Sequence, residues 1–588
     1  MKTKILLIAV VIGLGGVAVL MGTTGVFAKS AAHAAAGAQD QESAATAVTA
    51  EHGEASVGPA REVVLDALPQ IAPRIGPPRE IPDHPEAGEM EGYQNKPIAG
   101  AVGEPSPPPQ IGNQEQTPGA SVFNGEGEVA CNNYIPSDHA LATSSSYVVQ
   151  VLNDCITVYN TSGKVFSGFP KSLNTFFGAP SGDAVGDPRA LFDWRQSRFI
   201  VVAEDFTAHN LHLGVSQTSN PTGAWWLYTL SGTVNGQLPG SPDFPMVGQT
   251  EQENGDSDGG IYLSYDRFSS NGFQDNVVWI LPKSPIYSGG GFSFHYFFNL
   301  TLGGKTVDHV QPANVMSRQD RPRVEFLINT LDFNFGCSSS SPCKGLVLWT
   351  IYDGVPSSGT NPTLSGKLIN TANSYTYPVT AAQPGAASGT QCAINTGNAG
   401  ISSTVHWSAG DLYLAASTAA HNGQASDGFI YWQVHPYVTN NSSGAAVLAS
   451  TAGTIRNEIC WGCNGFSGNS TLSEYYPAVQ PDDEGNVTVV YNFSSNGNYP
   501  STAYVSLRTT QPTGAFPDGG FSLANGQAKY CQIDSVGRNR WGDYTANSPF
   551  GTPLATIPTF WFAGQHSDAN GRWATNFGQN AFTSDVQP

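Results

Sequence analysis

Two stretches decide the fold: FIVVAEDF (Phe199–Phe206) followed by LHLGVSQTSNPTGAWW (Leu211–Trp226), and VTVVYNFSS (Val487–Ser495) followed by TAYVSLRTTQPTGAF (Thr502–Phe516). Each reads as an apolar run rich in β-branched and aromatic residues, a polar turn, and a second such run. That is the pattern of two half-buried antiparallel strands. Both end on the same turn, VSQTSNPTGAWW against VSLRTTQPTGAF, and both follow an aspartate, Asp193 and Asp483. Matched turns with matched flanks indicate one repeated unit. An array of β-sandwiches would not require the same turn chemistry in distant hairpins.

The same unit recurs on either side. Further hairpins begin at Tyr147 (YVVQVLND/CITVYNTSG), Ile261 (IYLSYDRF/NVVWILPKS), Val324 (VEFLINTLDF/GLVLWTIYD), Leu412 (LYLAAST/GFIYWQVHPY) and Pro558 (PTFWFAGQHSD/GRWATNFG). Together they predict an all-β β-propeller over residues 121–588, with about seven blades and six to eight fitting the pattern. Several hairpins are preceded by an acid, aromatic or proline cluster: Gly186-Asp187-Pro188-Arg189, Asp243-Phe244-Pro245-Met246, Tyr475-Tyr476-Pro477-Ala478 and Trp541-Gly542-Asp543-Tyr544. If each cluster opens a blade, its strand is the innermost one and lines a central channel.

Composition agrees. Only 12% of the 588 residues are charged, while Gly (66) and Pro (40) are abundant, which favours short strands and turns over helices. The formal charge of −20 repels phosphate backbones and anionic membrane surfaces, so nucleic acid is not an expected partner. Lys2 and Lys4 precede an apolar stretch from Ile5 to Met21, and Val26-Phe27-Ala28 offers a small-residue cleavage site. Residues 1–28 therefore read as a signal peptide, with a secreted or cell-surface destination and no membrane insertion after its removal, an uncleaved membrane anchor being the alternative. Residues 29–120, Ala-rich and then Pro-rich (PRIGPPREIPDHPE, GEPSPPPQIG), read as a disordered linker, with a helical turn or two over Glu62 to Leu68.

An even number of cysteines suits an oxidising compartment: Cys131, Cys155, Cys337, Cys343, Cys392, Cys460, Cys463 and Cys531. CSSSSPC is expected to close a local loop between Cys337 and Cys343, and Cys131 with Cys155 to tie the first strand to its neighbour. The remaining pairing is open. Cys460-Trp461-Gly462-Cys463 reads as a structural disulfide, because no helix follows it and no second C-x-x-C exists.

Residues from about 135 to 575 resemble a group of secreted bacterial proteins with sialidase-like β-propeller folds. The strings that carry the likeness are YVVQVLNDCITVYNTSGKVF, GDPRALFDWRQSRFIVVAEDF, GVSQTSNPTGAWWLYTL, and RWGDYTA followed by TFWFAGQHS. The resemblance implies the fold and little about activity, since such folds host hydrolases, lyases and binding modules alike. Sialidases would imply an arginine cluster, a Tyr nucleophile with its Glu, and an acidic acid/base. The departures are plain: Arg74-Ile75-Gly76 echoes the family's Arg-Ile-Pro string poorly, and Ser219 to Trp225 lacks the acid of the Asp-box turn. Sialidase activity is not expected.

The candidate ligand site is the channel mouth: Asp187, Arg189, Asp243, Tyr475, Tyr476, Asp543 and Tyr544. Carboxylates and aromatics on converging strands are materials for carbohydrate recognition and for paired-carboxylate chemistry. The plainer reading is that the acids accept backbone N–H bonds and the rings pack between blades. No cofactor is evident. The acidic turn ENGDSDGG, with Asp256 and Asp258, leaves Ca²⁺ open, although its spacing is not that of an EF-hand. No H-E-x-x-H helix, G-x-S-x-G elbow or phosphate-cradling loop is present. The sequence thus favours a binding module for a glycan or another cell-envelope component. A glycosidase or lyase and a structural surface subunit are the alternatives.

Overall fold

The computed structural model describes residues 48–83, 117–118, 123–251, 259–315, 324–331, 333–338, 340–352, 361–420, 426–440, 446–463, 472–516, 520–549 and 559–582. Their strands form successive antiparallel sheets in which neighbours in sequence are neighbours in space. One unit runs Val185–Asp193, Arg198–Asp205, Asn210–Ser216 and Ala224–Ser231. Seven such units occur among the described residues, and each predicted hairpin forms as the middle two strands of one of them.

The first strands of the units are Ala140–Thr143, Val185–Asp193, Ser241–Thr250, Gln311–Val315, Val405–Ser408, Ser473–Pro481 and Ala546–Pro549. Each lies against the next, and the last returns to the first. Radially arranged four-stranded sheets around a shared channel are a β-propeller. Two neighbouring pairs of first strands make short parallel contacts, Gln249↔Asn314 and Asn314↔His406, so their side chains meet in the channel. The final sheet is completed by a strand that precedes the first unit, with Phe123–Gly127 pairing Trp573–Ala581.

Between sheets the alternate residues of facing strands interlock. Val202 and Leu213 of one unit pack with Val277 and Trp279 of the next, all fully buried. Each large apolar side chain so buried contributes about 1.5–3 kcal/mol relative to exposure.

The reading of residues 29–120 as a disordered linker needs correction for 48–83. Val48–Val57 adds an outer strand to Phe292–Leu302, and Arg61–Val64 adds one to Ala224–Ser231. A 3₁₀ turn, Leu65–Ala67, follows, where a helical turn was expected. The segment then runs parallel to Tyr134–Ile135 through Arg79–Glu80. Leu65, Ile71 and Ile81 are buried among propeller residues. Its apolar residues are too sparse for a period to show, because an edge strand needs only ladder bonds and a few anchors. Residues 1–47 and 84–116 lie outside the described residues.

All eight cysteines pair: Cys131–Cys155, Cys337–Cys343, Cys392–Cys531 and Cys460–Cys463. The first two match the expected partners. Among the described residues no helix is long and apolar enough to cross a membrane.

Candidate functional site

The clusters that precede the hairpins do open units, three within the first strand and the fourth just ahead of it. In three of them the ladder register slips where the first strand starts, between Gly186 and Arg189, Asp243 and Met246, and Tyr475 and Ala478. At each slip one residue has positive φ: Asp187 (49°), Phe244 (54°) and Tyr476 (52°), each followed by proline. His309 (47°) occupies the corresponding place ahead of Gln311–Val315. Bulges with non-glycine residues in this region re-aim side chains, and such conformations persist where surrounding structure enforces them.

The result is a cleft at the start of the inner strands, enclosing about 460 Å³ together with solvent at its mouth. Its wall includes Asp83, Asp243, Phe244, His309, Asn398, Tyr476 and Asp543. Phe244 meets the His309 ring at 4.3 Å between centroids, and the Phe244 backbone N–H donates to Asp243 Oδ1 at 2.7 Å. His309 Nδ1 lies 3.4 Å from both Asp266 and Asp308. Burial first, and then the Asp308 charge, push the Asp266 carboxyl up, while His309 opposes them. Asp543 accepts two hydrogen bonds from the Arg540 guanidinium. Asp83 accepts from Arg538 Nη2 at 2.6 Å, so the N-terminal segment supplies part of this wall.

The seven predicted residues separate into two groups. Asp243, Tyr476 and Asp543 line the cleft. Asp187, Arg189, Tyr475 and Tyr544 do not line it and are packed. The Tyr544 hydroxyl donates to Asp187 at 2.8 Å, and the Arg189 guanidinium lies 3.4 Å over the Tyr544 ring. Tyr475 donates to Ser494. The plainer role expected of Asp187 was to accept a backbone N–H bond; its own backbone N–H instead donates to Asn153 Oδ1. Burial, followed by the charges of Asp138, Asp243 and Asp543, holds the Asp187 carboxyl far above the usual carboxylate range.

Sequence reasoning missed Asp83, His309 and Asn398. Asp83 sat in the presumed linker. His309 had no proline beside it to mark the bulge. Asn398 lies in a loop with no regular pattern. The proposed cation ligands Asp256 and Asp258 lie outside the described residues, and among the described ones no group of three or more His, Cys, Asp or Glu could hold a metal ion.

No family model matches the chain, and no curated protein does. Solved structures with some likeness include an exo-β-1,3-galactanase from Clostridium thermocellum (10% identity, 70% of this chain and 83% of that one, TM-score 0.28). Another is the phage phi92 endosialidase (9%, 76% and 67%, 0.32). A third is a Trypanosoma rangeli sialidase bound to sialic acid (9%, 75% and 59%, 0.29). Likeness this low carries nothing about function, and the fold stands on strand order and register.

Proposed function

We propose that this chain is an exported β-propeller that recognises carbohydrate, or another hydroxyl-rich component of a cell envelope, in the cleft at the start of its inner strands. The observation behind this reading is the composition of the wall. Carboxylates (Asp83, Asp243, Asp543) and an amide (Asn398) accept from and donate to sugar hydroxyls, while Phe244 and Tyr476 offer ring surface to a sugar face. Export rests on the charged and apolar N-terminus, and the four disulfides suit an oxidising compartment.

Binding is favoured over catalysis because the acids are committed. Asp543 is held by both arms of Arg540, and Asp83 by Arg538. A glycosidase or lyase is the second reading, favoured by the buried, proton-retaining Asp187 near the cleft. A glycan-array screen of the mature chain, with product analysis of every glycan retained, separates the two. Retention without turnover supports recognition, turnover supports the enzyme, and no retention removes carbohydrate as the ligand.

A further inference from the structure

One step further along the inner strands the channel holds a second, more enclosed cavity, walled by His139, Arg189, Ser403, Thr545 and Asn547. All five are more than nine-tenths buried, and no acidic side chain lines the cavity. The surrounding hydrogen bonds leave His139, Arg189 and Asn547 with free donors, and the Ser403 hydroxyl can donate as well.

Consider first Asn547. Lys283 can only donate, and its Nζ bonds Gln249 Oε1 at 2.9 Å, which leaves Gln249 Nε2 to donate to Asn314 Oδ1 at 3.0 Å. Asn314 Nδ2 then faces His406 Nδ1, so the neutral imidazole carries its proton on Nε2 and donates to Asn547 Oδ1 at 3.0 Å. The Asn547 Nδ2–H₂ group is left pointing elsewhere, buried and without a partner.

The same logic fixes His139. Gln150 Oε1 accepts from the Glu126 backbone N–H, so Gln150 Nε2 donates to His139 Nε2 at 2.9 Å. Burial keeps His139 neutral, pushing it down to about 3, so its one proton sits on Nδ1, which is also buried and unpartnered. Arg189 donates to the carbonyls of Pro245 and Ser402 and lies over Tyr544. Its Nη2 has no partner, nor does the Ser403 hydroxyl.

A buried guanidinium bonded only to carbonyls and a ring, beside three further donors, is costly unless a negative partner sits among them. A water molecule would accept only two of these bonds and would need acceptors for its own protons. The small, buried space with its converging donors suits a single ion. We propose that this cavity binds one small monatomic anion of the halide class, held by Arg189 with His139, Asn547 and Ser403. This site is independent of what the outer cleft binds.

The test uses the full mature chain with bromide as the probe. Against sodium gluconate at equal ionic strength, sodium bromide should raise Tm saturably, by roughly 2 °C or more. Crystals grown in bromide should show an anomalous peak in contact with Arg189 Nη2. Asn547→Asp should abolish the bromide effect, and Ser403→Ala, which removes only one neutral donor, should weaken it. The anomalous map decides, whether or not the variants fold. A peak in this cavity supports the proposal. Ordered water there, or a peak only elsewhere, overturns it even if Tm responds.

Discussion

Tyr544 and Asp187 belong to sheets that are not neighbours, yet the tyrosine hydroxyl donates to the carboxyl at 2.8 Å, bridging over the intervening first sheet. Beside it, Asp138 of that first sheet accepts the Asp543 backbone N–H, and Asn153 accepts that of Asp187. Three units are thereby joined at the channel by polar contacts rather than by apolar packing. Tyr544→Phe, which removes this bridge, should destabilise by about 1–2 kcal/mol, read from denaturant unfolding.

The pH dependence of stability should be inverted relative to many proteins. Burial pushes Glu474 up to about 8 and Glu128 up to about 7, in each case against opposing hydrogen bonds. A carboxyl that holds its proton more tightly when folded stabilises at low pH, and that contribution is lost as pH rises from about 4.5 through the folded value. His406, pushed down to about 4 by burial, acts in the opposite sense: below about 6.5 the unfolded chain takes up a proton that the folded one refuses. Two carboxyls outweigh one imidazole above about pH 4.5, so stability should fall from there toward pH 8, and Glu474→Gln should flatten the alkaline part of that fall. A thermal-melt series across pH checks both.

Most of the architecture was legible in advance, because strands buried on both faces must carry the β-branched and aromatic runs quoted above. The clusters that open the units were legible too, since proline beside an acid or aromatic punctuates a strand, but the register slips inside them were not. What could not be read was direction. Asp187 and Asp243 look alike in sequence, but only Asp243 faces the cleft, a difference set by neighbours from distant sheets. The segment 48–83 was misread for a related reason, its stability coming from edges that the propeller supplies.

That segment should be structural. Leu65 is fully buried among residues of the first two sheets, and Leu65→Ala should cost about 2–5 kcal/mol. A chain begun at residue 121 would lose these strands and Asp83, and should melt lower in calorimetry than a chain that keeps them.

The disulfides should contribute unequally. Cys392–Cys531 spans 139 residues and Cys460–Cys463 only 3. On loop-closure entropy the long one is worth about 4–5 kcal/mol, so Cys392→Ala with Cys531→Ala should shift unfolding far more than the corresponding pair at 460 and 463.

The most direct test is calorimetric titration of a retained glycan into the unsubstituted chain and into Asp243→Asn and Tyr476→Ala. The account predicts saturable binding that each cleft substitution weakens at least tenfold, with folding intact. Unchanged affinity in both variants would contradict it and place recognition elsewhere on the molecule.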